Sequence, residues 1–132
     1  MVVPATCSQS MLPNATATCE QTVSIASNNG SATLTVADKD TDTNLTHTNG
    51  TDTIATAAGA VAQGTSSWNI SVADTSVTNA AMVASTGTPI EIFSGAISGA
   101  DKTFNITYNF GTAANQAAGT YSDMITYTVS AL

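Results

Sequence analysis

Arginine is absent from this sequence, and Lys39 and Lys102 are its only cations. Nucleic-acid binding draws its affinity from lysine and arginine contacts to phosphate, and anionic bilayers attract clusters of the same residues. The composition therefore argues against both partners. No apolar run is long enough to cross a bilayer, so no membrane insertion is expected. Histidine occurs once, as His47 in Leu45-Thr46-His47-Thr48, and no Gly-x-Ser-x-Gly nucleophile turn is present. A hydrolytic triad needs a nucleophile, a base and an orienting group, and a single loop histidine supplies one of the three. A glycosidase pair of carboxylates has no better footing. Glu91 falls on the polar face of one strand, Asp123 on the tyrosine-bearing face of another, and nothing in the sequence brings them together. The chain reads as non-enzymatic, with no catalytic residue and no cofactor-binding motif.

Aromatic residues are scarce as well, at 5% of the chain, and most fall on inward-looking strand positions. This leaves little for an exposed glycan-stacking platform. Charged residues make up only 8% of the 132 residues and leave a net charge of −7, against roughly 25% charged residues in an average soluble protein. Hydroxyls take their place: there are 24 threonines and 14 serines. Such a surface is hydrated through hydroxyls and amides, which suits an extracellular setting of variable salt and pH, and threonine favours strands over helices. The opening Met1-Val2-Val3-Pro4 has neither the basic nor the long apolar part of an export leader, so an exported protein is read here as a mature chain.

Two cysteines, Cys7 and Cys19, are present. A disulfide between them closes a small loop, ties down the N-terminal arm and contributes roughly 2–4 kcal/mol. The alternative is a pair of buried thiols; the extracellular character of the rest favours the disulfide.

What the sequence has in abundance is period-2 alternation. Phe104, Ile106, Tyr108 and Phe110 alternate with Thr103, Asn105, Thr107 and Asn109. Tyr121, Ile125, Tyr127 and Val129 oppose Ser122, Thr126, Thr128 and Ser130, with Met124 out of pattern. Similar runs surround Val23 and Ile25, Leu34 and Val36, Trp68 to Val72, and Ile90 and Ile92. Turn signals separate them, and Asn29-Gly30 is placed as for a hairpin. Strands are expected near 20–26, 31–37, 51–56, 66–73, 88–93, 102–110 and 120–130. Residues 74–87 read as a long connection with a helical turn. The fold class is all-β, an antiparallel two-sheet β-sandwich of about seven strands, with residues 1–19 as an extended arm carrying Pro4 and Pro13 and residues 20–132 as the sandwich.

Three further features bear on sites. Asp38-x-Asp40-x-Asp42-x-Asn44 spaces oxygen ligands as a calcium loop does. The glycine and glutamate that such a loop needs at its sixth and twelfth positions are here Thr43 and Asn49. A structural calcium on Asp38, Asp40 and Asp42 is the metal candidate, alongside the plainer reading of an acidic turn. An isopeptide crosslink would need a buried lysine, and both lysines are expected to be exposed. Six Asn-x-Ser/Thr sequons, at Asn14, Asn29, Asn44, Asn49, Asn69 and Asn105, are candidate glycosylation sites.

The run from Gln116 through Ala118-Gly119-Thr120-Tyr121-Ser122-Asp123 to Val129 resembles the closing strand of bacterial cell-surface β-domains. One is the spore coat protein U family, which includes chaperone–usher pilin-like subunits. Another is the WxL family of wall-associated proteins, matched by Trp68-Asn69-Ile70 and by Tyr121-x-x-x-Ile125-x-Tyr127-x-Val129, with tyrosine for the second tryptophan and Ile and Val for leucines. The resemblance implies an Ig-like or pilin-like sandwich at the cell surface. The function expected is that of a structural subunit of an extracellular fibre or layer, forming a homopolymer by strand addition through the N-terminal arm. A monomeric module binding cell-wall glycan and a virion decoration protein are the alternatives.

Overall fold

The computed structural model describes residues 10–28, 30–97 and 101–132. Among them there is no helix, and ten strands form antiparallel sheets. They are β1 (Ser10–Met11), β2 (Thr16–Ile25), β3 (Ser31–Asp38), β4 (Leu45–His47), β5 (Thr53–Ile54), β6 (Ser67–Val72), β7 (Ile90–Ala96), β8 (Lys102–Gly111), β9 (Gly119–Ser122) and β10 (Ile125–Ala131). Two three-stranded sheets, β2-β8-β6 and β10-β3-β7, carry the fold, and a smaller sheet, β1-β9-β4-β5, joins its short strands.

The alternation in the sequence becomes the division between core and surface. In the first sheet Val23 lies opposite Phe104, Ile70 opposite Tyr108 and Val72 opposite Ile106, and all are buried. In the second, Ala32, Leu34 and Val36 are fully buried, and Val129 and Tyr127 pair with Leu34 and Val36 on the same face. The two apolar faces merge into one core. A polar tie crosses it: the Tyr108 and Tyr127 hydroxyls touch each other, and both reach Gln21 Oε1, at 3.1 Å and 3.2 Å. Burial raises the pKa of both phenol groups, that of Tyr108 far above its ordinary value. They stay neutral, as hydroxyls held in a shared network must. The outer faces carry hydroxyl and amide contacts, such as Ser24 with Thr103 and Thr33 with Ser94.

Several expectations from the sequence are corrected. The runs at 20–26 and 31–37 do not form a hairpin: β2 pairs with β8, and β3 pairs with β7 and β10. The turn between them carries the chain from one sheet to the other; Asn29 lies outside the described residues. The run at 120–130 is two strands in two sheets, broken at Asp123–Met124. The run at 51–56 shrinks to Thr53–Ile54, and Leu45–His47 forms a strand where none was expected. Residues 74–87 contain no helical turn. The division at residue 19 falls inside β2, since Thr16 already lies opposite Gly111.

The described part of the arm is bound into its own chain. Met11 pairs with Gly119 and is buried. Thr112, fully buried, donates from Oγ1 to Leu12 O (2.6 Å) and accepts from Ala15 N (2.9 Å). Cys19 is disulfide-bonded, and Cys7 lies outside the described residues.

Asn69 is on the outer face of β6, yet it is fully buried because the chain from Ala55 to Gly59 folds over it. Its Nδ2 donates to Ala57 O (3.0 Å) and Gly59 O (2.6 Å), and its Oδ1 accepts from Asn109 Nδ2 (3.0 Å). Asn69→Ala removes the side-chain donor to the Ala57 and Gly59 carbonyls and leaves Asn109 Nδ2 with Ser71 Oγ alone, and is expected to cost about 2–4 kcal/mol. Asn105→Ala, on an exposed position, should stay within about 0.5 kcal/mol of the parent. Urea denaturation of the two variants measures the difference.

Candidate functional site

Strand β3 buries Ala32, Leu34 and Val36, and its fourth inward position is Asp38, only 1% exposed. A carboxylate thus occupies a place where the alternation calls for an apolar group. Its Oδ1 accepts from Asp40 N (3.0 Å), Asp40 Oδ1 accepts from Asp42 N (2.8 Å), and Asp42 Oδ1 accepts from Asn44 N (3.0 Å). Each aspartate caps the turn that follows it. The spacing that suggested a calcium loop therefore builds three successive turns. The structure does not gather Asp38, Asp40 and Asp42: among the described residues no three potential ligands cluster.

Asp38 meets Asp123 instead. Asp123 sits in the break between β9 and β10, where its Oδ1 accepts from Met124 N (2.8 Å). The Oδ2 atoms of Asp38 and Asp123 are both buried without a hydrogen-bond donor. Burial, then contact with the Asp38 carboxyl, then the charges of Asp38 and Asp40 raise the Asp123 pKa to about 7, against the opposing hydrogen bond from Met124 N. Neither lysine neutralises the pair. Lys39 Nζ lies 3.6 Å from Met124 Sδ, and Lys102 Nζ stands 4.6 Å over the Phe93 ring. Both lysines are exposed. Parity along the strands could have located this pair, since Asp38 and Asp123 each share the inward parity of their apolar neighbours; the break in the last run hid their meeting.

His47 has a structural partner at each ring nitrogen. Asn49 N donates to Nδ1 (2.9 Å), which places the ring proton on Nε2, and Nε2 donates to Ala118 O (2.9 Å). The ring packs edge-on against Tyr121 with centroids 5.0 Å apart. Tyr121 is buried, and its hydroxyl donates to Ala117 O (2.7 Å) and accepts from Gln116 Nε2 (2.7 Å). A tyrosine bonded to backbone a few residues upstream is a known corner device of β-sandwiches. The Ala118-Gly119-Thr120-Tyr121 run is the frame of this corner. Trp68 is fully buried, with Nε1 donating to Thr43 O (3.0 Å), so it offers no exposed ring.

The sequons divide by exposure. Asn14, Asn49 and Asn105 are exposed and Asn44 is half-buried, while Asn29 lies outside the described residues. Asn69 is no acceptor in the folded chain, because its Nδ2 is buried and bonded to two carbonyls.

A second feature is an edge. Leu132 N donates to Ser31 O and Lys39 N donates to Met124 O, so the even-numbered residues of β10 bond to β3. Alternation in an antiparallel pair then directs the backbone N–H and C=O of Ile125, Tyr127, Val129 and Ala131 outward. None of these groups has a backbone partner on that side among the described residues.

Gly119 has φ +142°, and a Cβ there would stand 2.3 Å from His47 Nε2. Gly119→Ala is expected to destabilise by about 2–3 kcal/mol, and His47→Ala introduced with it should recover part of the loss; thermal melts of the single and double variants check this. A second expectation concerns pH. Asp123 has a folded pKa raised above its unfolded value, so the folded state holds the extra proton between about pH 4 and 7. In chelator-treated buffer the melting temperature should fall as pH rises through that window and level off above it, and Asp123→Asn should flatten the curve.

Compared with known proteins, the chain matches no family model, no curated protein and no solved structure.

Proposed function

We propose that the chain is a non-enzymatic structural subunit of an extracellular surface fibre or layer, assembling with copies of itself by strand addition. The observation that carries this reading is the outer edge of β10. Its seven residues, Ile125–Ala131, include no proline, glycine or charge, and their register with β3 runs without a bulge. Open edges of this kind accept a further strand, and proteins that avoid such pairing protect their edges. Of the other outer strands, β2 carries a charge, Glu20, in its middle, and β7 and β6 are protected more fully. Strand β7 follows Pro89, bears Glu91 and Gly95, and has a bulge at Ile92, which is skipped between the Leu34–Phe93 and Thr35–Glu91 pairs. Strand β6 is covered by residues 55–57 and 77–80. Two of the exposed large hydrophobic side chains, Met124 at 62% and Leu132 at 63%, flank β10.

The N-terminal segment is the proposed donor. Residues 10–19 already serve their own fold, so the donor is narrowed to residues 1–9. The extracellular setting is supported by the disulfide at Cys19 and by a surface of hydroxyls instead of charges.

The test compares wild type with Val129→Pro and with a chain lacking residues 1–6, by light scattering after size exclusion and by negative-stain microscopy. Val129 N–H faces the open edge, so proline removes a docking donor and no bond to β3. Wild type should assemble, and both variants should remain folded monomers. Thr128→Lys places a charge on the same edge and serves as a second block. A wild type that stays monomeric at high concentration would overturn the reading. Assembly lost in Val129→Pro but kept in the truncated chain would reassign the donor.

A further inference from the structure

Asp38 and Asp123 turn acceptor oxygens toward one another with nothing positive between them. Two carboxylates in contact at the end of a strand need a counter-charge or a shared proton. The chain has two lysines, and the structure commits one to Met124 Sδ and the other to the Phe93 ring. Asp38 is 1% exposed, its Oδ2 is buried and unpartnered, and the Asp123 Oδ2 that accompanies it is buried and unpartnered too. The charge of Asp40 is felt at the same place. Among the described residues, no third group donates to either oxygen, so the pair has only a proton shared between its own carboxyls or an outside cation to hold it.

We propose that Asp38 and Asp123 bind a divalent cation of the calcium class, clamped between the end of β3 and the β9–β10 junction. Calcium takes six to eight oxygen ligands in flexible geometry, and it accepts carboxylates, backbone carbonyls and water together. One carboxylate from the end of β3 and one from the β9–β10 junction would anchor it, and the nearby Asp40 adds negative charge. Magnesium, which demands a tight octahedron, suits this irregular set less well. The site differs from the loop that the Asp38-x-Asp40-x-Asp42 spacing suggested: it keeps Asp38, drops Asp42 and recruits a residue 85 positions away in sequence. The proposal does not depend on assembly at β10.

The competing occupant is a shared proton, so the test is run at pH 8, above the range where Asp123 retains one. Thermal melts of the full chain in 5 mM CaCl2 and in EDTA should differ by about 4 °C for wild type, as expected for a site of roughly sub-millimolar affinity in a domain of this size. Asp123→Asn should lose that difference while melting at least as high as wild type in EDTA. Asp42→Asn should keep it. Calorimetric titration of wild type with CaCl2 should give one site. Retention of the calcium response in Asp123→Asn, or its loss in Asp42→Asn alone, overturns the proposal in favour of the loop. A wild type with no calcium heat and no shift at pH 8 overturns it in favour of the proton.

Discussion

Each of the two main sheets is apolar on one side only, and closing the two sides on each other is the constraint from which the rest of the structure follows. Val23, Ile70, Ile106 and Phe104 on one sheet and Leu34, Val36 and Ile92 on the other can leave water only together. The Tyr108–Tyr127–Gln21 contact sits in this shared interior and joins β8, β10 and β2 through hydroxyls and an amide. A polar cluster at that place is tolerable because its members satisfy one another. It also sets how the sheets face each other, since the two phenols meet in one arrangement of the strands.

Outside the core, the fold is finished with hydroxyls and amides. Asn69 and Asn109 fasten the chain from Ala55 to Gly59 over β6, Thr112 fastens the segment before β2, and Tyr121 with Gln116 and His47 fastens the corner before β9. The acidic pair at Asp38 and Asp123 stands apart because, among the described residues, theirs are the buried side-chain oxygens left short of donors.

The strand class and most strand positions were legible because apolar and hydroxyl residues alternate so cleanly around Phe104, Leu34 and Trp68. What was hidden was partnership. Asn29-Gly30 has the chemistry of a tight hairpin turn, yet strands β2 and β3 belong to different sheets, because pairing is decided by which faces must meet and turn chemistry is local. The long run from Tyr121 to Val129 kept its parity across Asp123–Met124, so the alternation gave no sign that it changes sheets there. The aspartate spacing was visible, but each carboxylate spends an oxygen on its own turn, and the partner of Asp38 comes from the far end of the chain. Asn69 looked like an exposed strand residue, and only the covering loop buries it.

The pairing of β2 with β8 has a consequence for how the molecule comes into being. Thr16 lies opposite Gly111 and Ile25 opposite Lys102, so β2 cannot join β8 in a ladder until the long stretch of chain between them has been made. Contacts so distant in sequence carry a large loop-closure cost before they return any energy, and folding through them is slow. A chain that delays its own closure in this way remains threadable while it is being made, and it acquires its shape late, all at once.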